Sequence, residues 1–167
     1  KNENRGFKSQ RFFEIGPIFF GCEPGDQYLM VCGILSGHKF SKNWLEQERE
    51  VDLFDAKGVL FSILNYLGFD ESNLKITQES RVLLHPKKNG IIYLGNTEVA
   101  SFGVFHPSTK KAFEIKENIC GFEINLSIIL NYIRKKNKSK PALNKIFYQS
   151  STRDFSFVVN KDIFASQ

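Results

Sequence analysis

Cysteine, histidine, methionine and tryptophan are all scarce in this 167-residue chain, at three, three, one and one. Cys22, Cys32 and Cys120 are odd in number and show no CxxC spacing, which argues against a disulfide framework and fits a reducing compartment. His38, His85 and His106 stand too far apart for zinc-ligand spacing, and HExxH, GxxxxGK[ST], GxGxxG and GxSxG are all missing. Long hydrophobic runs are missing too: Val99–Phe105 is far short of the roughly 20 apolar residues that span a bilayer. Lys1–Gln10 is polar and holds no apolar core of a signal peptide. No membrane partner is expected. A start at Lys1 and an end just after the strand-like Phe155–Val159 read as a segment of a longer protein.

What is present is globular in kind. Hydrophobic residues make up 41% and charged residues 25%, which excludes a disordered chain, a collagen and a coiled coil. The length suits one domain with a sizeable core. The net charge is +5, but 17 of the 23 cations are lysine, and lysine, asparagine, isoleucine and phenylalanine share A/T-rich codons. Position is more informative than total. No acid stands between Glu123 and Asp154, where Arg134, Lys135, Lys136, Lys138, Lys140, Lys145 and Arg153 supply seven positive charges, leaving −2 for the rest. The basicity is local.

Patterning predicts an α+β fold with an antiparallel sheet. Arg11–Phe20 reads as a strand with a bulge or edge kink at Gly16-Pro17, and a turn at Glu23–Asp26 leads to a buried strand at Tyr28–Leu35. Gly37–Glu50 is polar, with Trp44 as its large anchor. Leucine and isoleucine spacings of three, four and seven predict a helix over Leu53–Leu67, capped by Asp52 and stopped by Gly68. A strand is expected around Leu74–Gln78, the segment Val82–His85 runs into Pro86, and Ile91–Leu94 and Glu98–Phe105 form a second hairpin joined at Gly95-Asn96. A short helix from Pro107 through Phe113, a strand at Ile119–Ile124 and a helix capped by Ser127 and running to Arg134 follow. Lys135–Asn144 reads as a solvated linker.

Candidate chemistry is sparse. His85-Pro86 and His106-Pro107 are read as imidazoles bonding local backbone before a proline, rather than as a paired site. Cys22 and Cys32 face each other across the proposed hairpin and are read as buried thiols behaving as small hydrophobes. Arg11 with Glu14 and Glu23 is read as structural pairing. The basic run Arg134–Lys145 has only Tyr132 near it, so bases would find no stacking platform, and phosphate-backbone contact is the remaining nucleic-acid reading.

Arg11-Phe-Phe-Glu-Ile-Gly16 resembles an (R)LFE-G strand, and Trp44 followed by Val51-Asp-Leu-Phe-Asp-Ala-Lys-Gly58 resembles W…VDFFDLKG. Leu84-His85-Pro86 is similar to an LHP that usually continues GRSA, where this chain has Lys87-Lys-Asn-Gly90. Phe102-Gly-Val-Phe-His-Pro107 resembles G-x-x-HP, Gly121-Phe-Glu-Ile124 resembles VFEL, and Thr152-Arg-Asp-Phe-Ser-Phe-Val-Val159 resembles RRDxAVVV. In order and spacing these strings resemble the C-terminal part of the bacterial phenylalanyl-tRNA synthetase β subunit family. The resemblance implies a catalytic-like module of class II synthetase fold over residues 1–145. It implies the opening of a ferredoxin-like, anticodon-contacting domain over 146–167.

It also implies a cytoplasmic enzyme assembled with a synthetase α subunit as an (αβ)2 heterotetramer, reaching tRNA through the whole assembly. ATP and magnesium are expected elsewhere in that enzyme, with no cofactor in this segment. A class II site needs arginines for the ATP phosphates. No arginine follows Glu123 until Arg134, the return strand Tyr28–Leu35 is apolar, and Arg11 alone would be a relic of one phosphate arginine. A non-catalytic scaffold is therefore expected, with Arg134, Lys135, Lys136, Lys138, Lys140 and Arg153 as the tRNA-phosphate contacts of the alternative, RNA-binding reading.

Overall fold

Aromatic and β-branched residues dominate the first strand, β1 (Gln10–Phe19), and the strand that returns along it, β2 (Gln27–Ser36). The computed structural model describes residues 5–7, 9–40, 44, 48–135 and 151–158. Beyond the hairpin come α1 (Leu53–Tyr66), a 3-10 turn at Glu71–Asn73, β3 (Leu74–Thr77), β4 (Leu84–Leu94) and β5 (Thr97–Phe105). A short α2 (Pro107–Ala112), β6 (Ile119–Asn125) and α3 (Leu126–Lys135) complete them. The six strands form one antiparallel sheet in the order β1-β2-β6-β5-β4-β3. The expected fold class is observed.

One face of that sheet carries the core. Val31, Ile124, Ala100, Ile92 and Ile76 lie in one cross-strand row, and Leu60, Phe61 and Leu64 of α1 pack on it with Ile129 of α3. The next row on the same face is Gly33–Phe122–Phe102–Gly90. A Cβ on Gly33 would sit 2.4 Å from the Phe122 ring, and one on Gly90 would sit 2.5 Å from the Phe102 ring. Each outer strand thus gives up its side chain so that an inner phenylalanine can lie across it beneath α1.

Helix ends follow local chemistry. Asp52 Oδ1 accepts from the amides of Phe54 and Asp55, and Asp55 Oδ2 accepts from the Asp52 amide, closing a capping box. At the other end Gly68 adopts φ +89°, and the Phe69 amide donates to Leu64 O while that of Gly68 donates to Asn65 O. These are the two bonds of a Schellman stop, and Phe69 buries itself beside Leu64 in the core.

Several expectations need correction. Asn125, not Ser127, caps α3: its Oδ1 accepts from the Ile128 amide at 3.1 Å, while Ser127 Oγ accepts from the Leu29 amide at 2.8 Å. Gly16-Pro17 makes no bulge, because β1 pairs with β2 in unbroken register and an edge strand tolerates a missing N–H. Cys32 is opposite Glu14, and Cys22 sits exposed in the turn, so the two thiols do not face each other. Trp44 anchors nothing among the described residues, being 94% exposed. The strand expected from Ile91 begins at Leu84 and contains Pro86. β4 runs through it with a register shift between Leu84 and Asn89, and buried Asn89 Nδ2 donates to the freed carbonyls of His85 and Pro86.

The chain divides into two units, residues 1–137 and 138–167. In the second, residues 151–158 are exposed and form no strand, where the pattern predicts one from Phe155; within them the rings of Phe155 and Phe157 stack at 6.3 Å. A strand needs a neighbouring ladder, and none is present among the described residues. Among the described residues no helix is long and apolar enough to cross a membrane.

Candidate functional site

Because side chains alternate across a pleated sheet, the residues between the core rows point to the face away from α1 and α3. The row Glu14–Cys32–Glu123–Ser101 and the row Phe12–Ile34–Gly121–Gly103 form that open floor. Arg81–Leu84 forms a wall over it, and together they enclose a cavity of about 390 Å³ lined by Cys32, Ile34, Ser101, Phe105, Gly121 and Glu123. A second hollow of about 250 Å³ continues along the floor past Met30, Val99 and Asn125, sharing Glu98, Ser101 and Glu123 with the first.

An ion pair fixes the wall. Arg81 Nη2 donates to Glu98 Oε2 at 2.5 Å. Behind it, the Tyr93 hydroxyl donates to Glu79 Oε1 at 2.8 Å and Thr77 Oγ1 does so at 3.0 Å. Those two bonds hold the Glu79 carboxyl below its ordinary range, and the same bond raises the Tyr93 phenol. Arg81 and Glu98 lie 17 residues apart and Tyr93 and Glu79 lie 14 apart, with no local motif to mark them, so the sequence reading missed them.

The electrostatics do not suit a nucleotide. A triphosphate needs cations aimed at its oxygens, yet the floor offers Glu14, Glu123 and Glu98, and its wall guanidinium already belongs to Glu98. Arg11, the proposed relic of a phosphate arginine, is in register with Leu35 and so stands on the α1 side of the sheet. There its Nη2 donates to Lys39 O at 2.6 Å. It is a structural residue tying β1 to the chain after β2. Among the described residues no group of three or more His, Cys, Asp or Glu could hold a metal ion.

His85 and His106 act on local backbone, as the sequence suggests. His85 Nδ1 accepts from the Lys87 amide at 3.1 Å, and His106 Nδ1 accepts from the Ser108 amide at 3.2 Å, capping α2. Arg134 and Lys135 are exposed in the last turn of α3, where they meet the negative end of the helix dipole. Lys136, Lys138 and Lys140 lie outside the described residues, and Arg153 is exposed in the second unit.

A buried polar cluster on the other side of the sheet was also missed. Asp55 accepts from Arg49 Nη1 and Nη2 at 2.7 Å each and pairs with Lys39 Nζ at 3.2 Å. Burial alone would raise this carboxyl; the Arg49 bonds, the Asp52 amide and Lys39 overcome that and hold it well below the usual carboxylate range. Cys120 beside it is pushed up to about 12 by burial and then by the Asp55 charge, so its thiol stays protonated. The cluster holds Lys39 and Arg49 onto α1. It is architecture, not chemistry.

Comparison with known proteins agrees with this geometry. Residues 1–126 match the family described as phenylalanyl tRNA synthetase beta chain CLM domain. The phenylalanine–tRNA ligase beta subunit of Paramagnetospirillum magneticum is 35% identical over 165 residues, covering 99% of this chain and 21% of that protein. That of Rhodospirillum rubrum is 31% identical, covering 98% of this chain and 20% of the relative. The chain therefore spans about a fifth of the length of these curated relatives. Among solved structures, a pyrrolysyl tRNA synthetase from Desulfitobacterium hafniense superposes over 80% of this chain and 45% of its own, with a TM-score of 0.54 at 20% identity, a likeness of fold alone. The family match over residues 1–126, supported by relatives that align along nearly all of this chain, shows that the chain belongs to the phenylalanyl-tRNA synthetase β-chain CLM domain family.

Proposed function

We propose that this chain is a non-catalytic scaffold within the β subunit of a phenylalanine–tRNA ligase. The whole enzyme attaches phenylalanine to its tRNA at the expense of ATP. Its catalysis resides in an α subunit that this module helps to hold, in an (αβ)2 heterotetramer in the cytoplasm. ATP and magnesium belong to that other subunit, and residues from Ile146 onward open a ferredoxin-like domain. One observation carries the reading. The open face of the sheet is floored by Met30, Cys32, Ile34, Gly121 and Glu123, and Arg11 is turned to the opposite side. A surface with carboxylates where phosphates would lie repels a nucleotide instead of orienting it.

The test is phenylalanine-dependent pyrophosphate exchange and equilibrium ATP binding with the β subunit purified free of α. Neither should exceed background, and adding α should restore exchange. Exchange by β alone would overturn the scaffold reading.

A further inference from the structure

We infer that Asn89-Gly90 is a spontaneous modification site held shut by the fold, and that conversion of Asn89 to aspartate or isoaspartate irreversibly releases the Pro86 segment of β4. Asn89 is the only asparagine in the sequence followed by glycine. Without a Cβ, a glycine leaves its backbone nitrogen open to the preceding side chain and lets the backbone turn toward it. In water such a pair reacts unaided. The Gly90 nitrogen attacks Asn89 Cγ, the new C–N bond closes a cyclic imide, and Nδ2 leaves as ammonia, taking the Gly90 amide proton. Water then opens the imide at either carbonyl. Cleavage between the Gly90 nitrogen and Cγ gives aspartate; cleavage between that nitrogen and the Asn89 backbone carbonyl carbon gives isoaspartate.

Two unrelated packing requirements place this pair here. Pro86 has no N–H and disturbs the ladder, and the Asn89 side chain compensates: Nδ2 donates to His85 O at 2.8 Å and to Pro86 O at 3.3 Å, while Oδ1 accepts from the Glu79 amide at 3.4 Å. Gly90 is required from the other face of the sheet. A Cβ there would stand 2.5 Å from the Phe102 ring and 3.3 Å from Ile76 Cγ2. The reactive pair is built into the strand.

The same contacts keep it inert. Asn89 is 7% exposed and lies in register with Gly103. The extended backbone of β4 swings the Gly90 nitrogen away from Asn89 Cγ, and the leaving nitrogen is tied to two carbonyls. Ring closure therefore waits for β4 to open. The protection is set by neighbours between Ile76 and Gly103, and further chain laid over this face would only deepen it.

Reclosing is then barred. A carboxylate has no proton to give His85 O or Pro86 O, and it would set a charge against two carbonyl oxygens in a buried site. Isoaspartate also adds a backbone atom, which pushes the fully buried Ile91 and Ile92 out of register with Ser101 and Ala100.

The test holds the complete β subunit in mildly alkaline buffer, folded or unfolded in urea, and reads the exchange of amide for acid by peptide mass spectrometry. Unfolded, Asn89 should convert well ahead of Asn96, which precedes the β-branched Thr97 and serves as an internal control. Folded, Asn89 should convert at least about a hundredfold more slowly than unfolded, because core strands open only at free energies approaching the global one. Asn89→Asp makes one product directly. Its β4 amides should exchange with deuterium at least about tenfold faster, loss of the fold being the extreme of that result. Asn96→Asp, at an exposed turn position, should leave β4 exchange unchanged. Equal conversion of Asn89 in folded and unfolded subunit, or Asn96 outpacing it in urea, would overturn the modification site. Unchanged β4 exchange in Asn89→Asp would overturn the release.

Discussion

Asp55 shows how one residue can gather two cations, and how pH should expose it. Its side chain is only 5% exposed, while Arg49 and Lys39 remain partly in water at 42% and 36%. Asp55→Asn removes the charge and spoils the two Arg49 bonds, but the cations can regain solvent, so the cost at pH 7 should be about 2–3 kcal/mol. The folded carboxyl titrates below its unfolded value of about 3.9, so its contribution is complete above that value and fades as pH falls through the folded one. The gap between wild type and Asp55→Asn in urea denaturation should therefore be full at pH 7 and narrower at pH 3. A gap that widens on acidification would contradict the assignment. Asp52 as the cap was legible in the sequence, since Asp before an apolar periodic run has one common use. Arg49 was not, because no local pattern pairs a residue with one six positions on.

At the scale of elements, the sequence announced strands and helices where periodicity was strong and misjudged what held them together. The helix over Leu53–Leu67 was readable to within a residue because cap, stripe and Gly68 all agreed. The boundary at Pro86 was not, because the Asn89 side chain takes over the carbonyls that the proline disturbs, and no local pattern reveals that exchange. The Gly33–Phe122–Phe102–Gly90 row was invisible for a related reason: its four members come from four strands. It makes a sharp prediction. Gly33→Ala forces a methyl to within 2.4 Å of the Phe122 ring, which is 6% exposed and packed under α1, and should cost about 1–3 kcal/mol. Gly58→Ala, in the exposed middle of α1 with nothing within 4 Å, should instead stabilise by about 0.5–1 kcal/mol. Paired chemical denaturation of the two variants checks the row, and a neutral Gly33→Ala would show that Phe122 can move aside.

The whole molecule raises a question of charge that composition alone answers badly. A net charge of +5 suggests nucleic acid, yet seven cations sit between Glu123 and Asp154, and the sheet's open face is acidic. Of the six proposed phosphate contacts, Arg134 and Lys135 already serve the C-terminal end of α3. Helix-end cations need no further partner to be worth having there. If the segment were central to tRNA binding in the assembled ligase, Lys135, Lys136, Lys138 and Lys140 changed to Gln would delete four counterion-release contributions. Each is worth about 0.9 in the slope of log K against log salt on a duplex, and less on single strands. If protein contact is the module's main role, the slope should shift by less than about one unit. Assembly measured by size exclusion should also stay intact, because charges outside a desolvated interface alter association rates more than the complex itself. A salt titration of tRNA affinity with the reconstituted enzyme separates these outcomes. A slope loss of about three units with unchanged assembly would make RNA binding the segment's function and confine the scaffold role to the rest of the module.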